Sequence, residues 1–482
     1  MSLKREAFAA VRWTTVSMIV CSILRLVQVM ILARLLSPQS FGVMAVVVSV
    51  IAFIQVFTDL GVGTAIIHYR EISHSEMSSL YWLNILMSVL LMLVLAGASP
   101  WISRIIFHQP ALEPVLRLMS TSFVIFGFGQ QLSVIAQKSL RLSVLAKAEI
   151  LGGVCASATA IIWAWRDPSV YALVAGVLVN GCVQSILLWL FASRGWRPEL
   201  RLRFSEIKRF LKFGGFLIAG DFMSSLSRQA DVLIGARFFP VAILGGYSLP
   251  RNLCQNVAGV TQPVVARVGL PMMAKAQDDK SFLKSIYLKT LRMTASVNIP
   301  VYLGLAVFAR DVVLVIFGPK WAGSAPLLVF LAIWGMFRSC INPSASLVYA
   351  VGRTKLAFWW NAAQLCVAFP VAWVGSHYGT DGLAVGQAFL MLGLLVPCWY
   401  FLIRPTCGAR WGEFTMSFLS PLVTGSFAVG VAYLAAMSVN VPVWRLAGMV
   451  LVAVPTYFLA SSITNRSWFT AMQQLILRRS EA

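Results

Sequence analysis

The sequence predicts an all-α integral membrane protein of about fourteen transmembrane helices. Two observations of composition and one of charge placement predict it. Of 482 residues, 59% are hydrophobic and only 12% are charged, whereas soluble chains carry roughly a quarter charged residues. The apolar residues come in long runs, among them Val43–Phe57, Ile85–Ala98 and Pro326–Phe337, and a bilayer core of about 30 Å calls for helices of about 20 mostly apolar residues. The 39 Lys and Arg outnumber the 17 Asp and Glu, for a net charge of +22, and the basic residues fall in short loops between apolar runs.

The expected spans are 12–34, 42–66, 79–98, 113–137, 147–165, 170–192, 210–235, 243–268, 286–308, 325–350, 355–377, 381–403, 414–437 and 443–463. With both termini cytoplasmic, 27 of the basic residues fall on the cytoplasmic side, 7 on the opposite side and 5 within spans. Cytoplasmic loops carry such an excess of Lys and Arg, so the split supports an even number of spans. It also excludes a nucleic-acid reading of the charge, because no soluble domain gathers the cations. The eight cysteines form no CxxC pair and read as small buried hydrophobes. The N-terminal apolar stretch is interrupted by Arg25 and lacks a small-residue cleavage site, so it reads as a retained first helix.

An internal repeat is the most informative pattern. Shifted by 203 residues, Ile31-Leu-Ala-Arg-Leu-Leu36 falls on Ile234-Gly-Ala-Arg-Phe-Phe239, Gly42 on Gly245, and Arg25 on Arg228. At a shift of about 210, Ile106-Phe107 matches Ile316-Phe317, Gly176 matches Gly386 and Trp189 matches Trp399. Two six-helix lobes in the same orientation are therefore expected, a parallel repeat used by transporters. The expected organisation is a first lobe at 1–198, a basic amphipathic interfacial linker at 199–212, a second lobe at 213–403, two extra helices at 404–465 and a cytoplasmic amphipathic tail at 466–482. In the linker Phe204, Ile207 and Leu211 recur at helical spacing among arginines and lysines. In the tail Trp468, Met472 and Leu475 form a face ended by Arg478 and Arg479. Both stretches read as surface-lying helices.

No catalytic or metal constellation emerges. The four histidines have no second ligand at metal spacing, and there is no phosphate-binding loop of the ATPase kind; no cofactor is expected. What remains is ionisable residues inside spans, which are costly there and mark cavities or partners. Arg25, Arg228, Arg251 and Arg338 are the candidates for substrate binding. Asp59, Asp221 and Asp231 are the candidates for coupling or ion pairing. Arginine offers a donor fork suited to phosphate, so the cation surplus points to an anionic substrate group. Structural pairing, for example of Arg228 with Asp231 one turn away, is the alternative. Prolines crowd the second half, at 263, 271, 300, 326, 343, 370 and 397, and each inside a span frees a carbonyl and bends the helix.

The stretch Ala33-Arg-Leu-Leu-Ser-Pro-Gln-Ser-Phe-Gly42, followed by Phe57-Thr-Asp-Leu-Gly-Val-Gly63, resembles the opening of Wzx-like polysaccharide transporters. These belong to the multidrug/oligosaccharidyl-lipid/polysaccharide exporter superfamily. Leu140-Arg-Leu-Ser-Val-Leu-Ala-Lys147, Ile316-Phe-Gly-Pro-Lys-Trp321 and Gly382-Leu-Ala-Val-Gly386 extend the resemblance over nearly the whole chain. Within the superfamily it is similar to the branch exporting colanic-acid-type and succinoglycan-type units. The resemblance implies a twelve-helix core of two lobes related by a pseudo-two-fold axis, with two C-terminal helices. It implies flipping of an undecaprenyl-diphosphate-linked oligosaccharide across the bacterial inner membrane through a cationic cavity. It further implies membrane lipids, a polysaccharide polymerase and a chain-length regulator as partners. A cation-coupled exporter of small molecules and a membrane-embedded polysaccharide-assembly enzyme are the competing readings. The first would want a carboxylate cluster in the first lobe. The second would want a large periplasmic loop carrying Arg or His.

Overall fold

The computed structural model describes the backbone of residues 3–59, 62, 63, 66, 72–139, 141–193, 196–200, 203–264, 269–466, 468–470 and 473. Side chains are described there except at 3–12, 15, 59, 204–206, 209, 211–217 and 260–264. The side chain of Asp59, and the tail residues Met472, Leu475, Arg478 and Arg479, therefore lie outside the described residues.

Every described regular element is helical. The long helices are α1 (Leu3–Leu35), α2 (Pro38–Ile54), α3 (His74–Trp101), α4 (Leu112–Lys138), α5 (Leu142–Arg166), α6 (Val170–Phe191) and α7 (Phe204–Phe238). They continue with α8 (Val241–Val264), α9 (Lys280–Val307), α10 (Ala325–Ala350), α11 (Thr354–Ser376), α12 (Gly379–Gly393), α13 (Trp411–Ala436) and α14 (Pro442–Thr464). Each of the fourteen expected spans overlaps one of them, although 42–66 and 381–403 run on past the ends of α2 and α12. Among the described residues eleven helices are long and apolar enough to cross a membrane, or twelve if Lys280–Val307 and Ala309–Ile316, bent by 85°, make one span. The other two expected spans lie on α7 and α8, of 35 and 24 residues. They have the length, but their interior carries Asp221, Arg228, Asp231 and Arg251, which dilute the apolar signal.

Local chemistry sets the helix starts. Ser37 caps α2 by accepting from the Ser40 amide at 3.3 Å, and Pro38 follows, where a missing N–H costs nothing. Ser73 and Glu76 form a reciprocal capping box at the start of α3. Asp279 caps α9, accepting from the amides of Ser281 at 2.8 Å and Phe282 at 3.1 Å. The Phe282 bond first, then the Ser281 bonds, hold the Asp279 carboxyl below the usual carboxylate range. A depressed folded-state pKa contributes stability above the unfolded value and loses it as pH falls through the folded one. Thermal melts of wild type and Asp279→Ala should therefore differ at pH 7 and converge in acid, below the usual carboxylate range; a gap constant with pH would remove the charged cap from the account.

The chain divides into two compact units, Met1–Ser248 and Leu249–Ala482. In the first, α3 packs on α4, α4 on α6 and α5 on α6. In the second, α9 packs on α10, α10 on α12 and α11 on α12. The same three pairings thus recur six helices later, which is the repeat seen in sequence now expressed as packing. Gly176 and Gly386 do the same job in each. A Cβ on Gly176 would sit 3.1 Å from the Ala160 Cβ, and one on Gly386 3.3 Å from the Val371 Cγ1, so glycine lets α6 approach α5 and α12 approach α11.

Apolar side chains also cover the outside. Trp165 is 79% exposed and Leu451 74%, a surface that water does not tolerate at this scale but lipid does. Beyond the repeat, α13 and α14 pack together, and α13 packs on α9. Arg445 reaches Asp311 at 3.3 Å and pins the start of α14 to the short helix Ala309–Ile316. Trp468 is buried against Tyr457 and Phe458, with ring centroids 5.3 and 6.0 Å away.

Candidate functional site

In the first unit the polar interior gathers on α1, α5, α6 and α7. α1 and α5 run side by side. The Lys147 ammonium sits 5.6 Å from the Trp13 ring centroid, Gly153 faces Leu24, and the Ser157 hydroxyl donates to Gln28 Oε1 at 3.1 Å. Between these contacts lie Arg25 on α1 and Glu149 on α5, both close enough to Cys21 to act on it electrostatically. Arg25 itself is exposed. Glu149 was not among the sequence candidates. It lies inside the expected span 147–165, on the second turn of α5, and like Arg25 it acts electrostatically on Cys21. On α6, Gln184 donates to Asn180 at 3.0 Å, and Gly152 of α5 leaves room for both.

α7 carries a polar face. Asp221, Ser224 and Arg228 recur at three- and four-residue spacing, which places them on one side of the helix. The Arg228 guanidinium donates to the Ser224 hydroxyl, and Arg228 acts electrostatically on Asp221. Asp221 and Arg228 are both exposed. Asp231 is instead 3% exposed and accepts a 2.7 Å hydrogen bond from the Tyr247 hydroxyl of α8. The structure thus brings Asp221 and Arg228 together, gives Asp231 a phenol as partner, and gives Arg25 separate neighbours on α1 and α5. α7 is fixed to α2 by Ser225, which donates to the Ala52 carbonyl at 3.0 Å, and by the Ser49 hydroxyl on Gln229 at 3.3 Å.

The two helix starts Pro38 and Val241 meet. A Cβ on Gly42 would lie 1.6 Å from the Val241 carbonyl oxygen, and a Cβ on Gly245 would lie 1.9 Å from the Pro38 carbonyl oxygen. Pro38 and Val241 are themselves repeat mates at the 203-residue shift. The contact is therefore self-complementary: each glycine receives the carbonyl of the residue equivalent to its partner's. A two-fold relation produces contacts of this kind.

In the second unit Arg251 is 4% exposed and Arg338 is half-buried. The Arg338 guanidinium lies over the Trp334 ring, 4.9 Å from its centroid, and acts on Tyr302. Such a cation over an indole face is held by the ring quadrupole. The Tyr302 hydroxyl donates to the Cys254 carbonyl at 2.8 Å, while its ring packs on Gly335. Trp334 Nε1 is buried without a hydrogen-bond partner, a donor of the kind a polar ligand satisfies. The same unit holds an apolar cavity of about 450 Å³ between α9, α13 and α14, walled by Val297, Val301, Met449, Val450 and Val454. Among the described residues no group of His, Cys, Asp and Glu could hold a metal ion.

These features define a class: a multi-pass helical membrane protein of two units that repeat the same helix pairings, each unit carrying arginines within its helices. The model of the polysaccharide biosynthesis protein family matches residues 31–326, and the chain belongs to that family. Among curated relatives, the lipopolysaccharide biosynthesis protein WzxC of Escherichia coli (strain K12) is 28% identical over 442 residues, covering 89% of each chain. Two solved structures share the fold. The lipid II flippase MurJ in an inward closed conformation matches with a TM-score of 0.77 at 14% identity, over 95% of this chain and 99% of its own. An inward-facing multidrug resistance MATE family transporter matches with a TM-score of 0.64 at 15% identity, over 80% and 94%. The expected family is borne out, and the expected all-α fold is shared with these two structures.

Proposed function

We propose that this protein is a flippase. It moves an undecaprenyl-diphosphate-linked oligosaccharide from the cytoplasmic to the periplasmic leaflet of the bacterial inner membrane, by alternating access, for export of a polysaccharide. The observation that carries the reading is the pair of repeat-related arginines, Arg25 and Arg228, both exposed within long helices of the two repeats. A guanidinium in hydrocarbon is costly, and a water-filled path that receives a diphosphate removes that cost. The polysaccharide family and the lipid-carrier chemistry named for MurJ support the same substrate class.

In this reading the lobes are 1–198 and 213–403, joined by 199–212, and both termini lie on the cytoplasmic side with the basic loops. Arg251 and Arg338 add to the cationic path; Asp59, Asp221 and Asp231 balance it or couple it to an ion. The carrier's hydrocarbon stays in lipid or in the apolar cavity by α13 and α14. No covalent bond is broken, so the protein is a transporter and not an enzyme. A polymerase and a chain-length regulator consume the flipped unit.

The test is sidedness of the lipid-linked precursor in cells lacking the protein. Precursor accumulated on the cytoplasmic leaflet, with polymer lost and both restored by the wild-type chain, is the expected result. Unchanged polymer and unchanged sidedness would overturn the reading.

A further inference from the structure

The second unit carries a basic hollow that the transport reading does not use. It has a volume of about 560 Å³ and is lined by Gly352, Arg353, Thr354, Lys355, Leu356, Phe401 and Pro405. It lies between the turn that joins α10 to α11 and the short helix Arg404–Cys407. At about 30 Å³ per water molecule, this volume exceeds what one or two bridging waters fill.

Its chemistry is two-sided. Arg353 is held in place by donating from Nη1 to the Pro405 carbonyl at 3.1 Å. Gly352, at φ 72°, makes the left-handed turn that brings Arg353 there. Lys355 and Thr354 are exposed at the same rim. Arg404 stands just outside, its guanidinium 5.7 Å from the ring centroids of both Trp399 and Tyr400. The ion pairs among the described residues give no carboxylate to Arg353 or Lys355. Two cations therefore line the hollow with no ion pair among the described residues to neutralise them. The rest of the lining is apolar: Leu356, Pro405 and Phe401, the last 57% exposed. Trp399, Tyr400 and Trp411 nearby are ring types enriched at the membrane interface.

We propose that this hollow binds one anionic glycerophospholipid of the leaflet that the basic loops face. The phosphodiester lies against Arg353 and Lys355, and the first part of an acyl chain lies on Leu356 and Phe401. A free phosphate would use the cations but leave the apolar wall wet, and a zwitterionic lipid would bring its own ammonium into a site already cationic. Juxtamembrane cations attract anionic lipid in this way, and the hollow converts that diffuse attraction into a defined seat. The proposal stands independently of the transported substrate.

The test is native mass spectrometry of the full chain purified in detergent. The probes are phosphatidylglycerol and phosphatidylethanolamine of matched acyl chains, supplied equally. Wild type should retain one phosphatidylglycerol in preference to phosphatidylethanolamine. Lys355→Gln, at an exposed side chain that no packing depends on, should weaken that retention about fivefold, and Arg353→Gln with Lys355→Gln about 30-fold, as expected when each cation contributes independently. Lys289→Gln, an exposed cation elsewhere, should change nothing. Equal retention of phosphatidylglycerol by wild type and the double variant would overturn the proposal. So would displacement of the lipid by millimolar inorganic phosphate, which would assign the hollow to a free anion.

Discussion

Gly42→Val and Gly245→Val should each abolish most polysaccharide export while leaving the protein in the membrane. The Val241 and Pro38 carbonyl oxygens stand 1.6 and 1.9 Å from where the new Cβ atoms would go. The obstacle is backbone in both cases, so no side chain can swing aside, and the helices must separate by more than 1 Å. Overpacking a tight contact costs about 1–3 kcal/mol. If one state of the cycle requires α2 and α8 to touch here, its population falls by that amount, about 5- to 150-fold. In the proposed orientation the α1–α2 and α7–α8 loops lie opposite the basic loops, so there the disfavoured state is the one closed on that opposite side. The self-complementary geometry adds a sharper expectation. The two single variants should have similar effects, because each blocks the same contact from one side. Export assays at matched protein abundance check this, and strongly unequal effects would sink the symmetric account.

That contact also marks how far the sequence could be read. The match of Gly42 to Gly245 was legible because the flanking Ala-Arg pattern repeats around it. Its consequence was not, since a repeat establishes that two positions are equivalent and says nothing about whether they touch. The helices themselves were legible because a bilayer imposes about 20 apolar residues on each span. α7 was read as a span at 210–235 preceded by a separate amphipathic stretch. In the structure one helix runs unbroken from Phe204 to Phe238, because nothing after Phe204 forces a break: the stretch holds no proline, and paired glycines at 214 and 215 weaken a helix without ending it.

The site was legible as a set of residue types but not as an arrangement. Intramembrane arginines stand out in an apolar text. Which way each one faces depends on helix rotation, and hydropathy carries little of that where helices are apolar on most sides. So Arg25 and Arg228 are exposed while Arg251 is buried, a difference no spacing could show. Asp231 stands at helical spacing from Arg228, and it also accepts a short hydrogen bond from Tyr247, sixteen residues away on the next helix, which no spacing could show. Glu149 lies inside the expected span 147–165 but was not among the candidates, which were chosen as intramembrane arginines and aspartates.

Replacing Arg25 and Arg228 together by alanine should trap the lipid-linked precursor on the cytoplasmic leaflet. Each guanidinium would donate charge-assisted hydrogen bonds to a diphosphate, and each such bond is worth about 1.5–3 kcal/mol. Losing one arginine should therefore lower transport by roughly tenfold or more, and losing both should bring it near background. Lysine variants separate two roles. Lysine keeps the charge but lacks the planar fork, so a large deficit in Arg228→Lys would mean oriented phosphate contacts, and near-normal transport would mean that charge alone suffices. Arg228 also acts on Asp221 and bonds Ser224, so its removal leaves a lone carboxylate on α7. Adding Asp221→Asn to Arg228→Ala distinguishes the causes. Recovery of transport in that double variant would make Arg228 a partner that neutralises Asp221. Continued loss would keep it as a ligand for the substrate. Normal export in the Arg25 and Arg228 double-alanine variant would take both residues out of the transport path.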